Sequence, residues 1–180
     1  MNNLFNIFDE KSPRRFEILV KIIKYAGASQ NAHILVPHLG KTDGWISAWN
    51  LNGAQQRELY SAIYSMLSRE GSEETELQLE FLIKLLTTFN GDSNEAKGSV
   101  KNEAATLIVK IAQSDSIYEF DDYLSLEAVE QLKEDSKFAC MHELLQIMAK
   151  GTVKDLVEFD GKNGSFVNNT FGMSPLSDTV

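Results

Sequence analysis

Apolar side chains recur at helical spacing along most of the chain, following the i, i+3, i+4 pattern of amphipathic helices. Proline ends the one short strand candidate, ILVP at 34–37, and cannot donate to a ladder. The pattern therefore predicts an all-α fold of antiparallel helix pairs stacked as a helical-repeat solenoid. The stripes are Phe16, Leu19, Val20, Ile23 and Ala26; Leu59, Ile63, Met66 and Leu67; Leu79, Leu82, Ile83 and Leu86; Val100, Ala104, Leu107, Ile108 and Ile111; Leu126, Val129 and Leu132; Phe138, Met141, Leu145 and Met148; and Val153, Leu156 and Val157.

Two helices carry more apolar surface than one stripe. The first is predicted to open at Ser12-Pro13, run to about Ala26 and stop at Gly27, since serine caps helices and proline fits their first position. A second stripe lies beside its main one, so this helix needs neighbours on both sides. Another helix, at 72–89, is apolar all round in its second half apart from Lys84, which predicts burial between neighbours. The second stripe of the first helix is Ile18, Ile22 and Tyr25.

The composition changes after Gly161, where glycine and asparagine replace helix formers. A short helix at about 165–170 is compatible with this stretch, and residues 173–180 are predicted to be a disordered tail. At 180 residues the chain fits one domain. We therefore expect one helical region over residues 1–172.

The stretch WISAWNLN at 45–52 contains both tryptophans of the chain. Trp45 and Trp49 are four residues apart, on one face of a short helix, and each ring can bury roughly 150–250 Å². Asn50 is predicted to end that helix and Asn52 to begin the next, with Gln55 able to complete a capping box. We interpret these four residues, Trp45, Trp49, Asn50 and Asn52, as a structural wedge between helical hairpins. A ligand platform is the alternative.

Composition and motifs narrow the possible functions. The single cysteine cannot form an internal disulfide, no apolar run is long enough to span a bilayer, and the net charge of −9 disfavours nucleic acid as the first partner. We expect a cytoplasmic protein without membrane contact. HELLQ at 142–146 lacks the second histidine of a zinc-protease motif, and no nucleotide-binding motif is present. The sequence predicts no enzyme activity, no metal and no cofactor, with His142 a partly exposed helix residue.

One basic stretch, residues 11–24, stands out in this acidic chain. Arg14, Arg15, Lys21 and Lys24 are candidates for contact with an acidic partner or with RNA. A solvated helix face is the simpler alternative.

Several motifs resemble, in one order, the PCI family of scaffold subunits and specifically those of eukaryotic translation initiation factor 3. WISAWNL is followed by a QRELYSAIYSML helix, and further similar stretches cover the chain to about Phe171. They are NLF at 3–5, SPRRFEI at 12–18, FLIKLLTTFNGDSNEAKGSVKNEAATLIVKIA at 81–112, DSIYEFDDYLSLEAVEQLKED at 115–135 and HELLQIMAKGTVKDLVEF at 142–159.

This resemblance implies a right-handed helical-repeat scaffold whose partners are other initiation factor 3 subunits, especially PCI-domain subunits, and indirectly the small ribosomal subunit. In the family the repeats continue into a winged helix and a long C-terminal helix, which are not found here, so we expect a fragment that also lacks the N-terminal part. A PCI scaffold of the proteasome lid or the signalosome is an alternative, and an RNA-binding helical module is another.

Overall fold

A computed structural model describes residues 7–9, 12–69, 75–114, 117 and 119–171. Regular structure in this part of the chain is helical throughout, which confirms the predicted all-α class. The α-helices are α1 (Pro13–Ala28), α2 (Thr42–Trp49), α3 (Gly53–Arg69), α4 (Thr75–Thr87), α5 (Asn94–Gly98), α6 (Lys101–Ala112), α7 (Asp121–Leu124), α8 (Glu127–Glu130), α9 (Ala139–Lys150) and α10 (Val153–Phe171). Three 3-10 helices, Ala32–Ile34, Val36–Lys41 and Gln131–Glu134, supplement them.

The chain forms two compact units, Met1–Thr88 and Phe89–Val180. In the first unit α1 packs on α3 and α3 packs on α4. In the second unit α9 packs on α6, on the Gln131–Glu134 segment and on α10. Five of the predicted stripes lie in these cores with all or most of their members buried, those that begin at Phe16, Leu59, Val100, Leu126 and Phe138. The single helical region over residues 1–172 remains a prediction.

Helix α1 begins at Pro13 as predicted but does not stop at Gly27. It continues to Ala28, and Gly27 lies buried inside it. A Cβ atom at Gly27 would lie 3.0 Å from the Cα atom of Met66 on α3. The glycine is therefore explained by the close approach of two helices, which its missing side chain permits. Ser12 occupies the cap position without a side-chain cap bond.

Helix α4 is shorter than its predicted span of 72–89, and its predicted start lies outside the described residues. Its end at Thr87 is followed by a turn in which the Thr88 hydroxyl donates to the Leu85 carbonyl over 2.6 Å. The Arg57 guanidinium on α3 donates to the Thr88 carbonyl. Burial all round is only partly found, because Ile83 is half-buried while the other large apolar side chains from residue 81 to 89 are buried.

The short helix expected at about 165–170 is part of a longer one, because α10 runs without a break from Val153 to Phe171. Its start is fixed by a cap in which the Thr152 backbone N–H and hydroxyl donate to the Asp155 carboxylate over 2.7 and 2.8 Å. Phe159 and Val167 are buried, and this packing offsets the roughly 1 kcal/mol that each glycine costs in a helix. The predicted stripe of Val153, Leu156 and Val157 is not a buried face, since both valines are more than half exposed. The predicted tail at 173–180 lies outside the described residues.

Candidate functional site

The two tryptophans lie on α2, and their rings are stacked. The ring centroids are 6.2 Å apart and the planes differ by 7°. Trp49 is buried, with 7% of its surface exposed, whereas Trp45 is half-buried. The structure therefore separates the pair into an inner ring that packs in the first unit and an outer ring that reaches its surface. The wedge role remains a prediction.

The chain turns sharply after Trp49. Asn50 is left-handed, with φ of 48°, and ends α2. The Asn52 backbone N–H donates to Gln55 Oε1 over 3.1 Å, and the Gln55 backbone N–H donates to Asn52 Oδ1 over 3.0 Å, which is the reciprocal capping box at the start of α3. Leu51 between the two asparagines is buried. This corner fixes the direction in which α2 presents Trp45.

An apolar groove of about 590 Å³ opens beside Trp45. Its lining comes from α1, the turn after α1, both 3-10 helices of the first unit and the start of α2. Tyr25 and Ile34 on its walls are each 60% exposed, a large fraction for such side chains. The lining comprises Leu19, Ile22, Tyr25, Ala26, Ser29, Asn31, Ile34, Leu35, His38, Lys41 and Trp45.

Sequence reasoning did not identify this groove, although two of its signals were available. The second stripe on α1 predicted a neighbour on that side, and ILVP at 34–37 was recognised as too short for a strand. The 3-10 helices supply that neighbour, yet Tyr25 and Ile34 are each 60% exposed. Because a 3-10 helix has three residues per turn, the positions of its side chains do not follow from an α-helical pattern.

The four basic candidates do not form one free cationic patch. The Arg15 guanidinium donates to the Phe8 carbonyl over 2.7 and 2.9 Å, and Arg14 lies over the Phe8 ring at 5.8 Å. Lys24 Nζ forms an exposed ion pair with Glu58 at 2.9 Å. Lys21 is exposed. Contacts inside the first unit therefore engage part of this set, and its contact with RNA or an acidic partner stays a prediction.

His142 is buried, so its expected partial exposure is wrong. It lies on α9, where burial lowers the pKa of its imidazole and the nearby Lys133 lowers it further. Burial also raises the pKa of the neighbouring Cys140 thiol, which disfavours a reactive thiolate.

Charged pairs join the short elements of the second unit. Lys97 Nζ lies 2.7 Å from the Glu127 carboxylate, which also accepts from the Gly91 backbone N–H over 3.0 Å. Lys101 Nζ lies 2.6 Å from the Asp135 carboxylate. The hydrogen bonds from Lys97 and then Gly91 lower the pKa of Glu127, and that from Lys101 is the largest cause that lowers the pKa of Asp135.

Within the described ranges, no group of three histidine, cysteine, aspartate or glutamate side chains is arranged to hold a metal ion. None of the helices over those residues combines the length and the apolar character needed to cross a bilayer. The regular structure of the described residues is thus helical throughout, and the first unit carries an apolar groove.

Curated proteins similar to this chain carry one name. Eukaryotic translation initiation factor 3 subunit M of Dictyostelium discoideum is 30% identical over 177 residues, which are 97% of this chain and 42% of that protein. The subunit M proteins of Nematostella vectensis and Homo sapiens are 25% and 24% identical over 92% and 94% of this chain. No family model matches.

These relatives confirm the resemblance to subunits of initiation factor 3 that the sequence motifs indicated. Within that group, the similarity is to subunit M. The chain spans about two fifths of the length of the curated relatives it matches, 42%, 41% and 43% for the three named here.

Proposed function

We propose that this chain is a non-catalytic scaffold component of eukaryotic translation initiation factor 3, acting in the cytoplasm and supporting assembly on the small ribosomal subunit. The similarity to subunit M over 97% of the chain carries the proposal. Its partners are then other subunits of the factor, especially those with PCI domains.

The described architecture is compatible with the helical part of a PCI domain. Consecutive long helices pack on each other within each unit, which is how helical repeats build a core from nearest neighbours. Under this proposal the helices are a right-handed solenoid, and its surface rather than a catalytic cleft performs the function.

Affinity purification of the tagged 180-residue chain from a eukaryotic cell lysate, followed by quantitative mass spectrometry, tests the proposal. We expect recovery of the other initiation factor 3 subunits, and the recovery should survive ribonuclease. Selective recovery of proteasome-lid or signalosome subunits would replace it with another PCI assembly, and loss of all partners after ribonuclease would favour the RNA-binding alternative. A chain that is folded by circular dichroism and recovers no specific protein would contradict it.

A further inference from the structure

The apolar groove on the first unit is a preformed surface. Its wall at Trp45 is held by the stacked Trp49, and the start of α2 is fixed by the Thr42 hydroxyl, which donates to the Leu39 carbonyl over 2.6 Å. The turn at its other end is fixed as well, since Asn31 Nδ2 donates to the Ser29 carbonyl over 3.0 Å. A wall ordered before binding loses little conformational entropy when a ligand arrives, so such a groove favours association.

The groove is lined by aromatic and aliphatic side chains together with several polar ones. Tyr25, Ile34 and Trp45 are large side chains that line it. Tyrosine and tryptophan are enriched among the residues that dominate the energetics of protein–protein contacts. Tyr25 and Ile34 are each 60% exposed. An open channel of this form suits an inserted row of side chains better than an enclosed small molecule.

The charged groups of the groove indicate the kind of partner that it fits. The chain has a net charge of −9, yet none of the described lining residues is a carboxylate, and its ionisable groups are Lys41, His38 and the Tyr25 phenol. Lys41 lies next to the start of α2, beside the Trp45 wall. A partner with acidic side chains next to apolar ones would complement both features, whereas RNA offers phosphates without the aliphatic anchors.

We propose that this groove docks an acidic amphipathic helix of a partner protein. Apolar side chains of that helix at i, i+3 or i+4, and i+7 insert between Tyr25, Ile34 and Trp45, and an Asp or Glu at the edge of its apolar face pairs with Lys41. The proposal does not depend on membership of the initiation factor, because it concerns the chemistry of the groove alone.

A displayed library of random peptides about 16 residues long, selected on the immobilised full chain, tests the proposal directly. The same library is depleted beforehand on Ile34→Asp, a matched protein that differs only at an exposed groove position and should keep its helical circular dichroism. We expect the enriched peptides to share the helical apolar spacing and to carry acidic residues beside it. Enriched peptides that are basic, or that lack the spacing, would overturn the proposal.

Fluorescence polarisation of one labelled selected peptide then gives the affinity. Ile34→Asp should weaken binding by about tenfold or more, as loss of a central anchor does. Lys41→Glu should weaken the binding of the acidic peptide. It should strengthen the binding of a second peptide in which the acidic residues are replaced by lysine. Lys133→Glu on the second unit is the charge-matched control and should change neither affinity by more than about twofold.

Two further results would overturn the proposal by pointing to another occupant. One is concentration-dependent dimerisation of the unmodified chain in sedimentation that Ile34→Asp abolishes, since the groove would then receive a second copy. The other is binding of a labelled oligouridine that Ile34→Asp abolishes while no peptide is enriched.

Discussion

The two units of this chain differ in the lengths of their helices and in the contacts that hold those helices together. In the first unit α1 and α3 have 16 and 17 residues and bury continuous apolar stripes against each other. The second unit has helices α6, α9 and α10 of 12, 12 and 19 residues, but also α5, α7 and α8 of only 5, 4 and 4 residues, which take part in the ion pairs Lys97–Glu127 and Lys150–Asp121. Short helices are marginal alone because few of their backbone bonds offset the cost of nucleation. Directional contacts therefore matter more where the helices are shorter.

One ion pair from each unit illustrates the difference. Lys97 in the second unit is only 12% exposed and joins a carboxylate that also binds a backbone N–H, whereas Lys24 and Glu58 in the first unit are 59% and 49% exposed. A pair at the surface is weakened by water and salt. We accordingly expect the first unit to respond mainly to changes in packing and the second also to changes in charge.

The largest expected effect is on aromatic packing in the first unit. Trp49→Ala should lower the free energy of unfolding by about 3–5 kcal/mol, since the removed ring is buried. Trp45→Ala is the matched control and should cost clearly less, because that ring is only half-buried. Urea unfolding followed by far-UV circular dichroism measures both. A cost below about 1 kcal/mol for Trp49→Ala would contradict its role in packing and revive the ligand-platform alternative.

Glycine substitution tests the close approach of α1 and α3. Gly27→Ala should destabilise the first unit by about 1–2 kcal/mol, because the added methyl meets the Met66 backbone at 3.0 Å and overpacking exceeds the gain in helix propensity. The methyl group added by Gly44→Ala on α2 would have no neighbour within 4 Å. This variant should raise the free energy of unfolding by up to about 1 kcal/mol. The two variants should move the urea midpoint in opposite directions, and the same sign in both would remove the close approach as the explanation.

Acid should weaken the second unit through His142. Burial lowers the pKa of His142, so as the pH falls through about 6.5 the unfolded chain takes up a proton before the folded chain does. His142 therefore makes its full contribution to stability above about pH 6.5. That contribution is lost progressively as the pH falls from about 6.5 to the lowered pKa of the folded state. Glu127 and Asp135 add losses of the same sign below about pH 4.5, because their pKa values are lowered too.

Two optical signals separate the units in this experiment. Both tryptophans lie in the first unit, so their fluorescence follows its unfolding, while circular dichroism follows helices in both. Between about pH 7.5 and 5.5 the dichroism midpoint in urea should fall more than the fluorescence midpoint. His142→Phe should remove that extra fall and His33→Phe, at an exposed position, should keep it. Equal falls in both signals would show that the units do not differ in this way.

The smallest effect concerns the ion pairs themselves. Lys24→Ala should change the free energy of unfolding by no more than about 0.5 kcal/mol, as exposed pairs usually do. Lys97→Ala should lower the urea midpoint more than Lys24→Ala, because its loss leaves the Glu127 carboxylate with only the Gly91 backbone N–H among its described partners. A larger effect from Lys24→Ala would reverse the comparison between the units.

The sequence by itself determined most of the helices and much of the core. Stripes such as that from Val100 to Ile111 are buried where the periodicity placed them, because one face of a helix must leave water. The turn at Asn50 and the capping box at Asn52 were also readable, since both depend on residues close in the chain. Helix α10 shows the limit of this local reasoning, since only a short helix at about 165–170 was expected after Gly161. A Thr152–Asp155 cap and buried Phe159 and Val167 support a helix that continues through the glycines of this stretch.

Only the tertiary structure decided which apolar faces stay open. Local spacing gives the same pattern for the buried Ile23 and for the exposed Tyr25, and the difference arises from what another segment places opposite them. The groove beside Trp45, the burial of His142 and the contact of Gly27 with Met66 all depend on residues far apart in the chain. Periodicity fixes which side of a helix is apolar, but the distance to its neighbour is a property of the packed fold.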